Sequence, residues 1–232
     1  MVIKAIVFDA DHTLYDIDVK KAYDLMFSYI SHETGLDKVV LKTVWRSHIC
    51  TILKSDKSQD VNRRKREFVL DMVLNQLDVD KSKIDKLVKS SVDLFWKSVV
   101  DNLILKPNTV ETISMLKKTD KFVLIVASDE YILPLKMKLN KIFGDWKQYF
   151  DYVISSDIAG ELKPSVKYYD LVAEKYGLES RDMVFVGDSW VRDLEIPSSM
   201  GACTVLLSDK KEGSPTHFIR NISELEKILD VN

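Results

Sequence analysis

Two aspartates one residue apart, Asp9 and Asp11, follow the apolar run Ile6-Val7-Phe8 near the start of this 232-residue chain. Carboxylates placed this way at the end of a buried strand can share one site with different roles. One attacks a phosphorus while the other handles a proton. Taken alone, the pair favours a plainer reading, a solvated turn in which Thr13 caps the helix that follows.

Three later segments change that balance, each at the end of an apolar run. Val123-Leu124-Ile125-Val126-Ala127 leads into Ser128-Asp129. The run Tyr152-Val153-Ile154 leads through Asp157 and Gly160 into Lys163-Pro164. Met183-Val184-Phe185-Val186 leads into Gly187-Asp188-Ser189, with Asp193 one helical turn beyond. Each run is short and rich in β-forming residues, the signature of a strand buried on both faces. A helical pattern follows each one, which makes the strands parallel and puts their carboxyl ends on one edge. Open α/β sheets bind ligands at that edge, so Asp9, Asp11, Ser128, Lys163, Asp188 and Asp193 are expected to converge.

The elements that position these residues fall into two kinds. Between Leu14 and about Lys106 the strand-like runs stop and apolar residues recur at helical spacing. Examples are Tyr23, Phe27 and Ile30; Val44, Ile49 and Leu53; Phe68, Met72 and Leu77; and Leu87, Leu94 and Val99. From Pro107 the α/β alternation resumes, with predicted helices over Val110 to Lys118, Leu133 to Ile142 and Ser165 to Tyr176, then one ending near Gly201. A last strand, Thr204 to Leu207, and a terminal helix from Ser223 complete the pattern.

The ordered set of four motifs resembles the haloacid dehalogenase superfamily, across nearly the whole chain. Asp9 to Leu14 match its D-x-D-x-T-L, Ser128 its second motif, Lys163 its third, and Gly187 to Asp193 its acidic G-D-S-x-x-x-D. The D-A-D-x-T-L wording points to a nucleotidase-like phosphatase branch. His12 stands where many members carry Gly, and Asp129 where Asn often follows the Ser/Thr. The resemblance implies a doubly wound, Rossmann-like parallel sheet of order 3-2-1-4-5 with an inserted α-helical cap of the C1 kind. The core would be residues 1–16 and 103–232 and the cap 17–102, hinged near Leu14 to Asp18 and Leu103 to Pro107.

The same resemblance implies the chemistry. Asp9 would be the nucleophile and Asp11 the general acid and base, its pKa raised by its neighbours. Mg²⁺ would sit on Asp9, Asp188 and the backbone carbonyl of Asp11. Lys163 would neutralise Asp9 and a phosphoryl oxygen, with Ser128 and Asp129 at the phosphate. Asp193 would stand behind the metal or reach it through water, and Thr13 would shape the first loop. The implied activity is Mg²⁺-dependent hydrolysis of a small phosphorylated metabolite, a sugar phosphate or a nucleoside monophosphate. A phosphomutase is the alternative, disfavoured for want of a cap motif that would hold a bisphosphorylated intermediate. A 2-haloacid dehalogenase is disfavoured because dehalogenases of the family lack the second Asp. A non-catalytic binding protein is disfavoured because every reacting group is present.

Bulk properties narrow the partners. A formal net charge of -2 leaves no basic field of the kind an obligate nucleic-acid partner needs. No apolar run reaches membrane-spanning length, and the N-terminal one is too short for a signal peptide. Cys50 and Cys203 have no pairing or metal pattern and read as reduced thiols of a cytoplasmic protein, Cys203 in a buried strand. Trp45 reads as a packed ring with Arg46 and His48 solvated beside it, and Arg63 to Arg66 as a solvated helical face. Trp190 either walls the site or covers a helix start. Oligomeric state leaves no mark in the pattern.

Overall fold

The computed structural model describes residues 3–55 and 58–230, so residues 1–2 and 231–232 at the ends of the expected core, and 56–57 of the expected cap, lie outside the description. It comprises two compact units, Met1–Ile17 with Ile104–Asn232, and Asp18–Leu103.

The first unit is built on a six-stranded parallel sheet. Its strands are β1 (Ala5–Phe8), β4 (Val123–Ser128), β5 (Tyr152–Ser155), β6 (Met183–Gly187), β7 (Cys203–Leu207) and β8 (His217–Ile219). Two further strands, β2 (Tyr15–Asp16) and β3 (Ile104–Leu105), form a separate antiparallel pair where the chain leaves and re-enters this unit. The sheet order is β5-β4-β1-β6-β7-β8. In chain order of the sheet strands this is the expected 3-2-1-4-5 with one additional edge strand, β8. That strand is three residues long and follows the polar loop Ser208 to Pro215, too short to show a period of its own.

β1 lies at the middle of the sheet, in register with β4 on one side and β6 on the other. Its four residues are at most 1% exposed, so a continuous apolar run was required rather than an alternating one. Phe8 pairs with both Val126 and Val186. The next residue, Asp9, therefore emerges between the ends of β4 and β6.

Among the described residues, the second unit holds four α-helices, α1 (Val19–Thr34), α2 (Lys38–Lys54), α3 (Arg66–Gln76) and α4 (Lys81–Asp101). Aspartates start three of them. Asp18, Asp37 and Asp80 each accept a hydrogen bond from a backbone N–H of the first turn, supplying donors of the helix start with an acceptor. Gly35 ends α1 at φ 74°, a conformation that favours glycine. In α2 and α3 the buried faces differ from those expected. Leu41 and Ile52 are buried rather than Val44, Ile49 and Leu53, beside Trp45, which is packed as expected, and Val69 and Val73 are buried rather than Phe68 and Met72. Adjacent apolar pairs, such as Val44-Trp45 and Phe68-Val69, leave the phase of a helical pattern ambiguous by one position. Trp45 meets Tyr23 and Phe27 edge-on, 5.9 and 5.8 Å between ring centres. Arg66 departs from the solvated-face reading: its guanidinium lies 4.1 Å from the ring centre of Phe95 and 4.3 Å from that of Trp96.

The remaining helices, α5 (Thr109–Lys118), α6 (Ile132–Phe143), α7 (Ser156–Ala159), α8 (Val166–Glu174), α9 (Glu195–Ser199) and α10 (Leu225–Ile228), belong to the first unit. One departs from expectation. The helix predicted to end near Gly201 begins as a π-helical turn, Trp190–Leu194, before α9. Pro197 has no N–H to offer the Asp193 carbonyl four residues earlier, so the regular ladder cannot run through this segment.

Candidate active site

Segments that follow β1, β5 and β6 bring Asp9, Lys163 and Asp193 into contact. Asp9 follows β1, and its N–H donates to the Val186 carbonyl of β6 at 2.9 Å. Both of its carboxylate oxygens are held: Lys163 Nζ donates to Oδ1 at 2.5 Å and Thr13 Oγ1 to Oδ2 at 3.0 Å. Lys163 also donates to Asp193 Oδ1 at 2.7 Å and to the Ala127 carbonyl at 3.1 Å. The ammonium is thus fixed on three oxygens from three segments. Ser189 N–H donates to the other Asp193 oxygen at 3.2 Å.

Gly187 is what lets Asp193 reach this position. A Cβ built on residue 187 would lie 2.5 Å from Asp193 Cβ and 2.8 Å from its Oδ2. The glycine thus answers to close approach rather than to an unusual backbone conformation.

Oxygens of Asp9, Asp188 and Asp193 lie within 4.8 Å of one another. Three carboxylates facing the Lys163 ammonium leave an excess of negative charge in a poorly solvated place. Burial, reinforced by Asp193 and Asp188 and opposed by Lys163, pushes the Asp9 carboxyl up to about 7. Asp188 is raised as well, by burial and Asp193 against the pull of His12 and Lys163. For Lys163, burial opposes the charge, but Asp193 and Asp9 outweigh it and hold the ammonium well above its ordinary value. An all-oxygen donor set with uncompensated charge suits a hard divalent cation.

The second and third motifs are tied to each other. Lys163 N–H donates to Asp129 Oδ1 at 2.6 Å, and Arg192 pairs with Asp129 Oδ2. Both oxygens of Asp129, expected at the phosphate, are thereby engaged within the protein. Burial opposes the charge of Arg192 and Asp129 more than restores it. Ser128 is buried and accepts from the Glu130 N–H at 3.1 Å, which leaves its own hydroxyl proton to donate elsewhere. Tyr168 donates to the Ser128 carbonyl at 3.0 Å, and Tyr169 to the Arg192 carbonyl at 2.6 Å. Helix α8 thus braces the loops after both β4 and β6.

His12 adopts φ 65°, in the left-handed region where glycine is unstrained, and its Nδ1 lies 3.2 Å from Asp16 Oδ1. Trp190 joins the apolar cluster under the sheet and rests on Gly213, whose added Cβ would lie 2.1 Å from the indole. The ring is a packing element between the π turn and the loop before β8. Cys203 opens β7 half-buried, and Cys50 is exposed.

Sequence reasoning missed Lys138. This residue of α6 is 0% exposed, and its Nζ donates to Asp11 Oδ1 at 2.6 Å and to Oδ2 at 2.9 Å. The signal was there: Lys138 shares a helical face with Leu135, Leu139 and Phe143, where an amphipathic helix buries apolar residues. A lysine on a buried stripe asks for an anionic partner. Arg192 was missed too, as one charge among many in a 30% charged chain.

Comparison with known proteins places the fold in a family. The model of the haloacid dehalogenase-like hydrolases matches residues 3–201. The chain belongs to that family. Among relatives, a glyceraldehyde 3-phosphate phosphatase of Methanocaldococcus jannaschii is 23% identical, over 99% of this chain and 96% of its own. A ribulose-1,5-bisphosphate 5-phosphatase of Halopiger xanaduensis is 24% identical over 124 residues, 53% of this chain and about half (51%) of that protein. Among solved structures, a 2-haloacid dehalogenase of Pseudomonas syringae pv. Tomato superposes with a TM-score of 0.77 at 19% identity, covering 99% of both chains.

Proposed function

We propose that this protein is a Mg²⁺-dependent phosphomonoesterase acting on a small phosphorylated metabolite through an aspartyl-phosphate on Asp9. The observation that carries the reading is the cluster of Asp9, Asp188 and Asp193 around Lys163, with a second carboxylate, Asp11, in the same loop as Asp9. Phosphate esters repel nucleophiles through their own negative charge, so catalysis depends on neutralisation and in-line positioning.

Asp9 and Asp188, with the Asp11 backbone carbonyl, would hold Mg²⁺, which supplies the positive charge that lets a carboxylate approach a phosphate. Asp193, held by Lys163 and the Ser189 N–H, would stand behind the metal or reach it through water. The chain's own groups do the rest. Thr13 and Lys163 fix the Asp9 carboxylate before substrate arrives, so little orientational freedom remains to be lost. The Ser128 hydroxyl and Lys163 receive phosphoryl oxygens. Asp11 gives a proton to the departing alkoxide, then takes one from the water that hydrolyses the acyl phosphate. Asp129, through Lys163 N–H and Arg192, holds the phosphate side of the site in register rather than meeting phosphate as a bare anion.

The phosphatases among the relatives act, by name, on short sugar phosphates. That favours this substrate class over nucleoside monophosphates. The helical unit Asp18–Leu103 would be the cap that selects among them, and the setting would be cytoplasmic. Against dehalogenation stands Asp11, for which departing halide has no use.

Phosphate release from a panel of sugar phosphates and nucleoside monophosphates, with Mg²⁺ and with EDTA, tests the reading. Activity is expected with the metal only, and none in Asp9→Asn. Full activity in EDTA, or chloride release from 2-chloropropionate, would overturn it.

A further inference from the structure

The buried charge in α6 calls for a functional account. Lys138 has no exposed surface, and taking an ammonium out of water costs several kcal/mol unless close anions repay it. An apolar residue beside Leu135 and Leu139 would fill the same helical face without that cost. The anions Lys138 meets come from the two loops that carry the site. Asp11, after β1, offers both oxygens at 2.6 and 2.9 Å, and Glu130, after β4, offers Oε2 at 3.5 Å. The ammonium also lies 5.6 Å from the ring centre of the buried Tyr15. The Asp11 side chain keeps about a quarter of its surface (25%) open while its partner keeps none. One edge of the carboxylate therefore faces outward, and the other is gripped from behind.

We propose that Lys138 is a positioning residue for the reaction, fixing the Asp11 carboxylate for proton exchange with the leaving group and tying the β1 loop to the β4 loop. The proposal rests on the reading of Asp11 as the proton donor. A carboxylate held at two oxygens has lost the freedom to rotate about its side-chain bonds, and a displacement of about 1 Å at a reacting group costs on the order of 100-fold in rate. Lys163 does this for the nucleophile, and Lys138 does it for the acid. The two lysines approach from α6 and from the loop between α7 and α8, so the neighbouring carboxylates Asp9 and Asp11 are held by different elements.

The test uses the full chain with Mg²⁺ and compares two substrates by kcat/KM, which reports transfer to Asp9. An alkyl phosphate needs a proton on its leaving oxygen; 2,4-dinitrophenyl phosphate does not. Lys138→Met is expected to lower kcat/KM on the order of 100-fold for the alkyl ester, and far less for the dinitrophenyl ester. Lys138→Arg keeps the buried charge while changing its reach, and is expected to show the same imbalance in smaller measure even if the methionine variant folds poorly. In an Asp11→Asn background, removing Lys138 should cost the alkyl ester little more, since residues acting through one another are not additive. Equal losses on both esters, or losses that add to those of Asp11→Asn, would overturn the role of Lys138 alone. If Asp11→Asn itself fails to discriminate between the esters, the assignment of Asp11 falls and the role of Lys138 with it.

Discussion

At the scale of single residues, the site is a balance of buried charge, and each charge has a measurable consequence. Lys163 neutralises Asp9 and Asp193 at 2.5 and 2.7 Å with its side chain 3% exposed. Lys163→Met would leave two buried carboxylates facing one another. Breaking such a cluster typically costs about 3–5 kcal/mol, so chemical denaturation should show a loss of that order together with loss of phosphatase activity. Asp9 gives a pH signature. Its folded-state value, about 7, lies above the ordinary 3.8, so the folded protein binds this proton more tightly than the unfolded chain does. The stabilising contribution is therefore complete below 3.8 and is lost as pH rises through about 7. In EDTA the melting temperature should fall across that window, and Asp188, raised in the same direction, adds to the slope. Mg²⁺ should flatten the curve by stabilising the ionised carboxylates, and Asp9→Asn should remove much of it. An unchanged slope in Asp9→Asn would place the titration elsewhere. The acidic residues were legible in the sequence because each follows a strand-like run. Lys138 and Arg192 were not, because they belong to no motif and one lysine or arginine among 34 basic residues carries no label.

At the scale of elements, the segment from Gly187 to Leu194 shows how backbone placement decides side-chain chemistry. Asp193 reaches Lys163 only because nothing projects from Gly187, and the π turn Trp190–Leu194 aims it there. Gly187→Ala would force a methyl to within 2.5 Å of Asp193 Cβ. Overpacking of that kind costs about 1–3 kcal/mol, and here the strain falls on Asp193, Lys163 and, through them, Asp9. The variant should lose activity more steeply than stability, and a crystal structure should show the Lys163–Asp193 distance lengthened beyond 2.7 Å. Retained activity would mean that the turn yields without disturbing the lysine. The central strands were readable from their unbroken apolar runs, whereas the capping roles of Asp18, Asp37 and Asp80 came only with the structure. The phase of α2 and α3 was not readable. In both, adjacent large apolar residues compete for the interior, and only packing against neighbouring helices chooses between them.

At the scale of the whole molecule, the β2–β3 pair bears on how the two units are assembled in one chain. Asp16 pairs with Ile104 and Tyr15 with Leu105, antiparallel. The chain therefore leaves the sheet-bearing unit and returns to it at adjacent points, and the 86 residues of Asp18–Leu103 hang on one two-stranded stem. Loop-closure cost grows only logarithmically with length, which is why so large an insertion is compatible with the sheet. The same geometry makes the insertion removable. Joining Asp16 to Ile104 through Asn-Gly would turn the stem into a tight hairpin and leave β1, β4, β6 and their strand ends untouched. The shortened protein should retain far-UV circular dichroism of an α/β fold and hydrolyse p-nitrophenyl phosphate with Mg²⁺. It should no longer distinguish among sugar phosphates, since the residues proposed to select substrate have gone. Hydrolysis that keeps the same substrate ranking would move specificity into the sheet-bearing unit, where Arg192, beside Asp129 at the edge of the site, is the first residue to replace.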